Sequence, residues 1–516
     1  MFLPNSSASR RTQTCGFTLK DLIQFRTLCL QCGLLPDGKR KEFPLAVIPA
    51  EAGIQKRKCY YGCMDKSIFR AYDIRGIYPT ELDEQDAYKI ARAIFEYSKC
   101  QKVAVGRDAR LSAPQIHKAV CQGFLDAGCE VTDCGMASSD MMAWAAGAKD
   151  FDITINVTAS HNPKEWIGLK INQRGGGTVG GAGEIETIFD IVKNRNFQFP
   201  ISNFQLAGVK KLDLLPDWIK HVLSFVDVAK IKPMKIIVDA GNGVAGPIVR
   251  ELFKHLPVEL VEMYFKPDGN FPNHLPSPIE PQNTADLQRK VVEVNADLGM
   301  AFDGDADRVF LIDDNGRWVN GSEMTALIID KVLSENSKRV VLYNAICGWN
   351  VYDVIKKYNA KSYRTKVGHG YIKKDMRRHK AYFAGEHSGH YFFKDNFCAD
   401  SGLIAAVLVL ALLSEKKKTL SELLAPHRRY ASIAEMNFRV GDIEKIFGAL
   451  EKKYAGLDID KLDGLTVSSK DWWCNVRPSS NEPLLRLNLE AKDKTILDKM
   501  KQELTNLITK PTQISA

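Results

Sequence analysis

The chain has 516 residues, 45% of them hydrophobic and 26% charged, enough for roughly three or four domains with buried cores; a single small module is excluded. Its 37 glycines and 21 prolines are far from a disordered or collagen-like composition. The net charge is +9, but residues 1–63 carry six of those charges, so the body of the chain is nearly balanced and shows no basic, aromatic-interleaved stripe for nucleic acid.

Residues 1–63 hold basic clusters such as Lys39-Arg40-Lys41 between short apolar pieces with no sustained period, so they read as an extension outside the folded body. Cys29-x2-Cys32 and Cys59-x3-Cys63 have a spacing a zinc ribbon could use, but the segment between them lacks the paired turns that would set four thiolates tetrahedrally. Residues 47–55 resemble peptides read through from dispersed bacterial repeats, which makes Met64 a plausible start. The beginning of the chain lacks the pattern of a secretory signal, the twelve cysteines form no dense framework, and a reducing cytoplasm is the expected location.

From Ile68 onward, β-branched strands alternate with amphipathic helices: a strand at 102–105 before a helix at 115–127, a long helix at 184–193, a strand at 235–238 before a helix at 247–254. The apolar run 403–413 is too short for the ~20 residues of a membrane span and predicts a buried helix. A strand at 484–489 and a helix at 494–508 close the chain in a smaller α+β unit. Polar turns place boundaries near residues 205, 316 and 429, giving α/β segments 64–205, 206–316 and 317–429 and a terminal segment 430–516.

Four motifs carry chemistry. Thr158-Ala-Ser-His-Asn-Pro163 follows the apolar residues 153–157 and places Ser160 on an exposed turn at a strand end, where a nucleophile or a simple helix cap would sit. It lacks the Gly-x-Ser-x-Gly syntax of a hydrolase elbow. Asp303-Gly-Asp-Ala-Asp-Arg308 sets three carboxylates at alternate positions, which an extended segment would aim to one side. Hard oxygen donors without thiol or imidazole suit Mg²⁺. Arg308 stands where a calcium-binding EF-hand loop needs glycine, and a solvated acidic turn would leave three carboxylates repelling one another. Gly385-Glu-His-Ser-Gly-His390 offers a carboxylate and a hydroxyl on a glycine loop, suited to sugar hydroxyls, and Lys366-Val-Gly-His369 lies just upstream; His369 reads equally as a core histidine or as an acid/base. Arg477-Pro-Ser-Ser-Asn-Glu-Pro-Leu-Leu-Arg486 puts a guanidinium, hydroxyls and an amide on a loop entering a strand, as a phosphate site or a polar turn would. Gly241-Asn-Gly-Val-Ala-Gly246 matches a dinucleotide fingerprint between a strand and a helix, although Asp239 puts negative charge where a pyrophosphate would lie.

In order and spacing, Phe69-Arg-Ala-Tyr-Asp-Ile-Arg-Gly76 and the four loops resemble the α-D-phosphohexomutases, with the bacterial phosphomannomutase/phosphoglucomutase group nearest. The resemblance implies three similar α/β domains with mixed sheets between helices and a smaller C-terminal α+β domain around one central cleft. It implies Ser160 as the phosphorylated serine, Asp303, Asp305 and Asp307 holding one Mg²⁺ together with Ser160, and Arg308 steadying the phosphate. Arg75 and Lys170 would flank the transferred group, Tyr72 would bind substrate, Glu386 and Ser388 would grip the sugar, and Arg477, Ser479, Ser480 and Asn481 would hold the other phosphate. His369 and His390 match positions of proton transfer. Hexose phosphates would be the partners, hexose 1,6-bisphosphate the activator, phosphoglucosamine the alternative substrate, and the assembly a monomer or weak homodimer without nucleic acid or membrane. Many relatives read Ser-Asn-Thr or Ser-Gly-Thr at Ser479-Ser480-Asn481, and a lysine of close relatives falls at Ile346 or a neighbour here.

Overall fold

The computed structural model describes residues 64–180, 183–199, 206–479 and 484–509; the two cysteine pairs of the extension, Ser480 and Asn481 lie outside the described residues. Four sheets follow one another along the chain. The predicted helices form with ends shifted by no more than three residues: Ala113–Leu125, Glu184–Asn194, Ala245–Phe253, Gly402–Lys416 and Lys494–Thr509. Local signals account for several ends. Asp83 and Asp86 form a capping box at the start of Glu84–Ser98, and the Ser401 hydroxyl accepts from the Ile404 amide to start Gly402–Lys416. That last helix is buried on nearly every side, which is why its residues 403–413 are apolar without a period.

The first three sheets share one topology. In the first, Lys102–Arg107, Glu130–Met136 and Ile153–Val157 are parallel with the first strand in the middle, and Trp166–Gln173 returns antiparallel beside the third. The second repeats this with Met234–Asp239, Val258–Met263, Leu298–Phe302 and the returning Val309–Ile312. The third does so with Val341–Asn344, Ser362–Thr365, Phe383–Gly385 and the returning Tyr391–Phe393. A fifth strand pairs with the returning one in each: Ile74–Ile77, Trp318–Val319 and Ala399–Asp400. The fourth sheet is antiparallel throughout, around Trp472–Pro478 and Leu485–Ala491, and has an apolar core of its own.

Two sheets overrun the boundaries drawn from polar turns. Lys210–Lys211 adds to the edge of the first sheet and Trp318–Val319 to the second, because a two-residue edge strand has no period for the sequence to display. The shared topology positions the site: the third strand of each sheet turns back into the fourth through one loop, and those loops are residues 158–165, 303–308 and 386–390. Three of the four motifs read from the sequence therefore occupy the same place in three copies of one fold.

Candidate active site

Ser160 sits at the end of its strand in the left-handed region, φ 51°, and is 3% exposed. The expected exposed turn is thus a buried one, since the second sheet's loop covers it: a Cβ on Gly304 would lie 2.5 Å from the Ser160 carbonyl. The Ser160 hydroxyl donates to Asp303 Oδ2 at 2.8 Å and accepts from Arg308 Nη2 at 3.1 Å. His161 lies against the same guanidinium, and burial beside Arg308 and Arg75 keeps its imidazole neutral.

The loop's shape depends on two residues that motif reading passed over. Arg110, 1% exposed, donates through its terminal nitrogens to the carbonyls of Ser160 (2.8 Å), Asn162 (2.6 Å), Pro163 (2.6 Å) and Trp166 (2.9 Å). Its Nε pairs with Asp108 at 3.1 Å, and Asp108 also accepts from the Thr158 hydroxyl at 2.7 Å. Their sequence signal was only an Asp-x-Arg after the first strand of an α/β unit. Arg75 bonds Asn162 on the same loop and pairs with Asp73.

The three carboxylates do converge, with one oxygen of each within 4.8 Å of the others, but not along an extended segment. Residues 303–308 form a turn closed by the Ala306 amide on the Asp303 carbonyl at 3.1 Å, and Ala306 takes φ 62°. A turn gathers the carboxylates where alternation along a strand would spread them. Lys170 donates to Asp305 Oδ2 at 2.7 Å and Asp307 Oδ2 at 2.6 Å, and Arg308 Nε to Asp303 Oδ2 at 2.9 Å. Burial favours the neutral carboxyl; it pushes Asp303 up to about 7, whereas for Asp305 and Asp307 the Lys170 ammonium overcomes burial and holds both below the usual range. Among the described residues Asp305 Oδ1 is buried without a hydrogen-bond partner, and Asp307 Oδ1 has only the long ion-pair contact of His390 Nε2 at 3.5 Å. Two hard oxygens left so free beside Asp303, without thiol or imidazole among the three, fit a divalent cation.

The third sheet supplies a histidine pair. His390 Nδ1 lies 3.2 Å from Glu386 Oε2, and its Nε2 lies 3.5 Å from Asp307 and 3.7 Å from Asp400. Although burial disfavours its charge, these carboxylates raise His390 to about 9. His369 opens the helix His369–His379, packs edge-on against Tyr72, and leaves Nε2 buried without a partner among the described residues. Burial and the nearby Lys373 and Lys170 press His369 well below the ordinary histidine range. The two rings stand 6.4 Å apart. Glu386 is buried, accepting from the Gly368 amide at 3.0 Å and Asn344 at 3.1 Å, while Ser388 bridges Glu386 and His390 at 3.3 and 3.2 Å. Tyr72, with its hydroxyl pushed up to about 12 by burial and by Asp73 and Glu386, packs beneath Gly368.

In the fourth sheet Arg477 is 4% exposed and bonds Glu435 at 3.0 Å; Ser479 follows at the strand end. The glycines of residues 241–246 serve packing. A Cβ on Gly243 would meet Gly304 at 2.6 Å and one on Gly246 would meet Phe265 at 2.1 Å, while the Gly241 amide is taken by Asp239. Close packing and a local turn therefore account for these glycines.

A buried hydroxyl, a carboxylate cluster with room for a cation, and converging lysine and arginine side chains define an α/β enzyme arranged for phosphoryl chemistry. The descriptions phosphoglucomutase/phosphomannomutase alpha/beta/alpha domain I, II and III match residues 66–199, 216–316 and 320–430, and the C-terminal domain of the same family matches 435–507. A phosphomannomutase of Vibrio cholerae is 35% identical over 86% of this chain and 98% of its own length. A phosphomannomutase/phosphoglucomutase of Pseudomonas aeruginosa is 36% identical over 85% and 95%. The crystal structure of a phosphoglucomutase/phosphomannomutase family protein from Burkholderia thailandensis superposes with a TM-score of 0.78 at 30% identity, covering 88% of this chain and 99% of that one. The chain belongs to the phosphoglucomutase/phosphomannomutase family.

Proposed function

We propose that the protein interconverts hexose 1-phosphate and hexose 6-phosphate, as a phosphomannomutase/phosphoglucomutase, with Ser160 carrying the phosphoryl group and a hexose 1,6-bisphosphate as the intermediate. The observation that carries this reading is the Ser160 hydroxyl seated 2.8 Å from Asp303 between Arg308 and the Lys170-bound carboxylates.

Asp303, Asp305 and Asp307 are the residues to hold Mg²⁺, with the Ser160 oxygen or its phosphate beside them. Bound there, the ion would neutralise charge on the phosphate and polarise it. Arg308, already on the Ser160 oxygen, would hold the phosphate's free oxygens, and Arg75 and Lys170 would keep the surrounding field positive. His369 and His390 suit opposite proton duties because their surroundings push them apart: His369 is neutral with a free, buried Nε2 to accept from the sugar hydroxyl, and His390 is charged and able to donate. Glu386 and Ser388 would receive the sugar hydroxyls by exchanging their long mutual contact for bonds to substrate. Arg477 and Ser479, with Ser480 and Asn481, would bind the phosphate that is not reacting, in either orientation of the bisphosphate.

The test joins mass spectrometry to coupled assays with mannose 1-phosphate, glucose 1-phosphate and glucosamine 1-phosphate. Phosphate on Ser160, turnover of the first two sugars, activation by hexose 1,6-bisphosphate and loss of at least three orders of magnitude in Ser160→Ala are expected. Near-normal isomerisation by Ser160→Ala would overturn the reading.

A further inference from the structure

Arg477 and Arg486 stand directly opposite each other on the paired strands Trp472–Pro478 and Leu485–Ala491. Two like charges in that position repel and would swing apart if nothing held them. Glu435 precedes the strand Met436–Phe438, which pairs with the far side of Leu485–Ala491 with Asn437 opposite Arg486. From there its carboxylate, 11% exposed, reaches both cations. Oε2 accepts from Arg477 Nη2 at 3.0 Å, Oε1 from Arg486 Nη1 at 2.9 Å, and Asn488 Nδ2 donates to Oε2 at 2.9 Å. Burial disfavours the charge on Glu435, but Arg477 and Arg486 hold it ionised, below the usual carboxylate range. The clamp takes only one terminal nitrogen of Arg477, Nη2, and among the described residues its Nε is buried without a partner. A buried donor on a fixed guanidinium is a place where an anion binds.

We propose that Glu435 is the positioning residue of the phosphate site: its carboxylate clamps Arg477 and Arg486 as a pair, so that the donors of Arg477 it leaves unpaired are held in place for the phosphate. This deepens the mutase reading and rests on it for the identity of the ligand. Glu435 would touch no substrate. It acts through the arginines, neutralising one of their two charges and fixing their angle, so its effect falls on binding in ground state and transition state alike.

The experiment measures steady-state kinetics with hexose 1-phosphate and, separately, binding of inorganic phosphate by the full chain. Glu435→Ala is expected to raise KM about tenfold with kcat within about threefold, and to weaken phosphate binding by a similar factor. Glu435→Gln keeps the volume but can accept from only one guanidinium, and should lose about half of that effect on a logarithmic scale. Combining Glu435→Ala with Arg477→Ala should cost little beyond Arg477→Ala alone, because the clamp has nothing left to present. Unchanged KM and phosphate binding in both Glu435 variants would overturn the proposal, as would effects that add fully with Arg477→Ala. So would tighter phosphate binding, which would make Glu435 a competitor of the phosphate. The phosphate measurement needs no turnover, so failure of the mutase reading would appear as wild type without activity and leave the clamp separately testable.

Discussion

Three carboxylates within one turn are tolerable only because each has a specific answer: Arg308 for Asp303, and Lys170 for Asp305 and Asp307. Lys170 is buried yet stays firmly charged, since the carboxylates outweigh the loss of water. His390 shows the same contest and makes a pH prediction. Its folded-state value, about 9, lies above the ordinary 6.5, so the stability it contributes is complete below pH 6.5 and disappears as the pH rises through 9. In metal-free protein this is worth at most about 3 kcal/mol. Melting temperature should therefore fall between pH 6.5 and 9 in wild type and fall less in His390→Gln; parallel curves would show that Asp307, Glu386 and Asp400 do not stabilise the charged imidazole.

At the scale of elements, one device recurs: the loop between the third and fourth strands of a mixed sheet leaves the sheet at the same end in each repeat. For the first repeat, Arg110 turns that loop into a rigid object by bonding three of its carbonyls and that of Trp166 at the start of the next strand, and it holds Ser160 at a positive φ that serine does not choose by itself. Arg110→Lys keeps a cation beside Asp108 but not the fork. It should lower kcat about a hundredfold with KM nearly unchanged, since misplacing a reacting group by about 1 Å costs that much. A shift in KM with kcat intact would mean that Arg110 does not act through Ser160.

At the scale of the whole molecule, the site exists only where repeats meet. Lys170 and Ser139 of the first reach Asp305 of the second, and Ser401 of the third bonds Asp140 of the first. The fourth sheet joins the third through Glu490, which accepts from the Trp349 amide at 2.7 Å at the start of the helix Trp349–Lys357 and from the Trp473 indole at 3.0 Å. A cation on the carboxylate cluster would bind the assembled state alone and stabilise it by mass action, about 2.7 kcal/mol at a hundred times its dissociation constant. Millimolar Mg²⁺ should raise the melting temperature, EDTA should reverse the rise and stop turnover, and Asp305→Asn should abolish the shift. An equal shift in Asp305→Asn would place the ion elsewhere.

The α/β class, the order of strands and helices, and the loops around Ser160, Asp303, Glu386 and Arg477 were legible in the sequence, because apolar period, glycine turns and runs of one chemistry are local properties. That the chain repeats one topology three times was expected only through the family resemblance and not from any repeat in the residues themselves, since the same backbone path is compatible with unrelated side chains; strand pairing shows it directly. Arg110, Glu435 and Asp400 act through partners tens of residues away and carry no local mark, so only the tertiary structure assigns them. The Asp303 turn shows the division most clearly. The sequence determined that three carboxylates would lie close together, while the tertiary structure decided their charge, by bringing Lys170 and Arg308 against them where water is excluded.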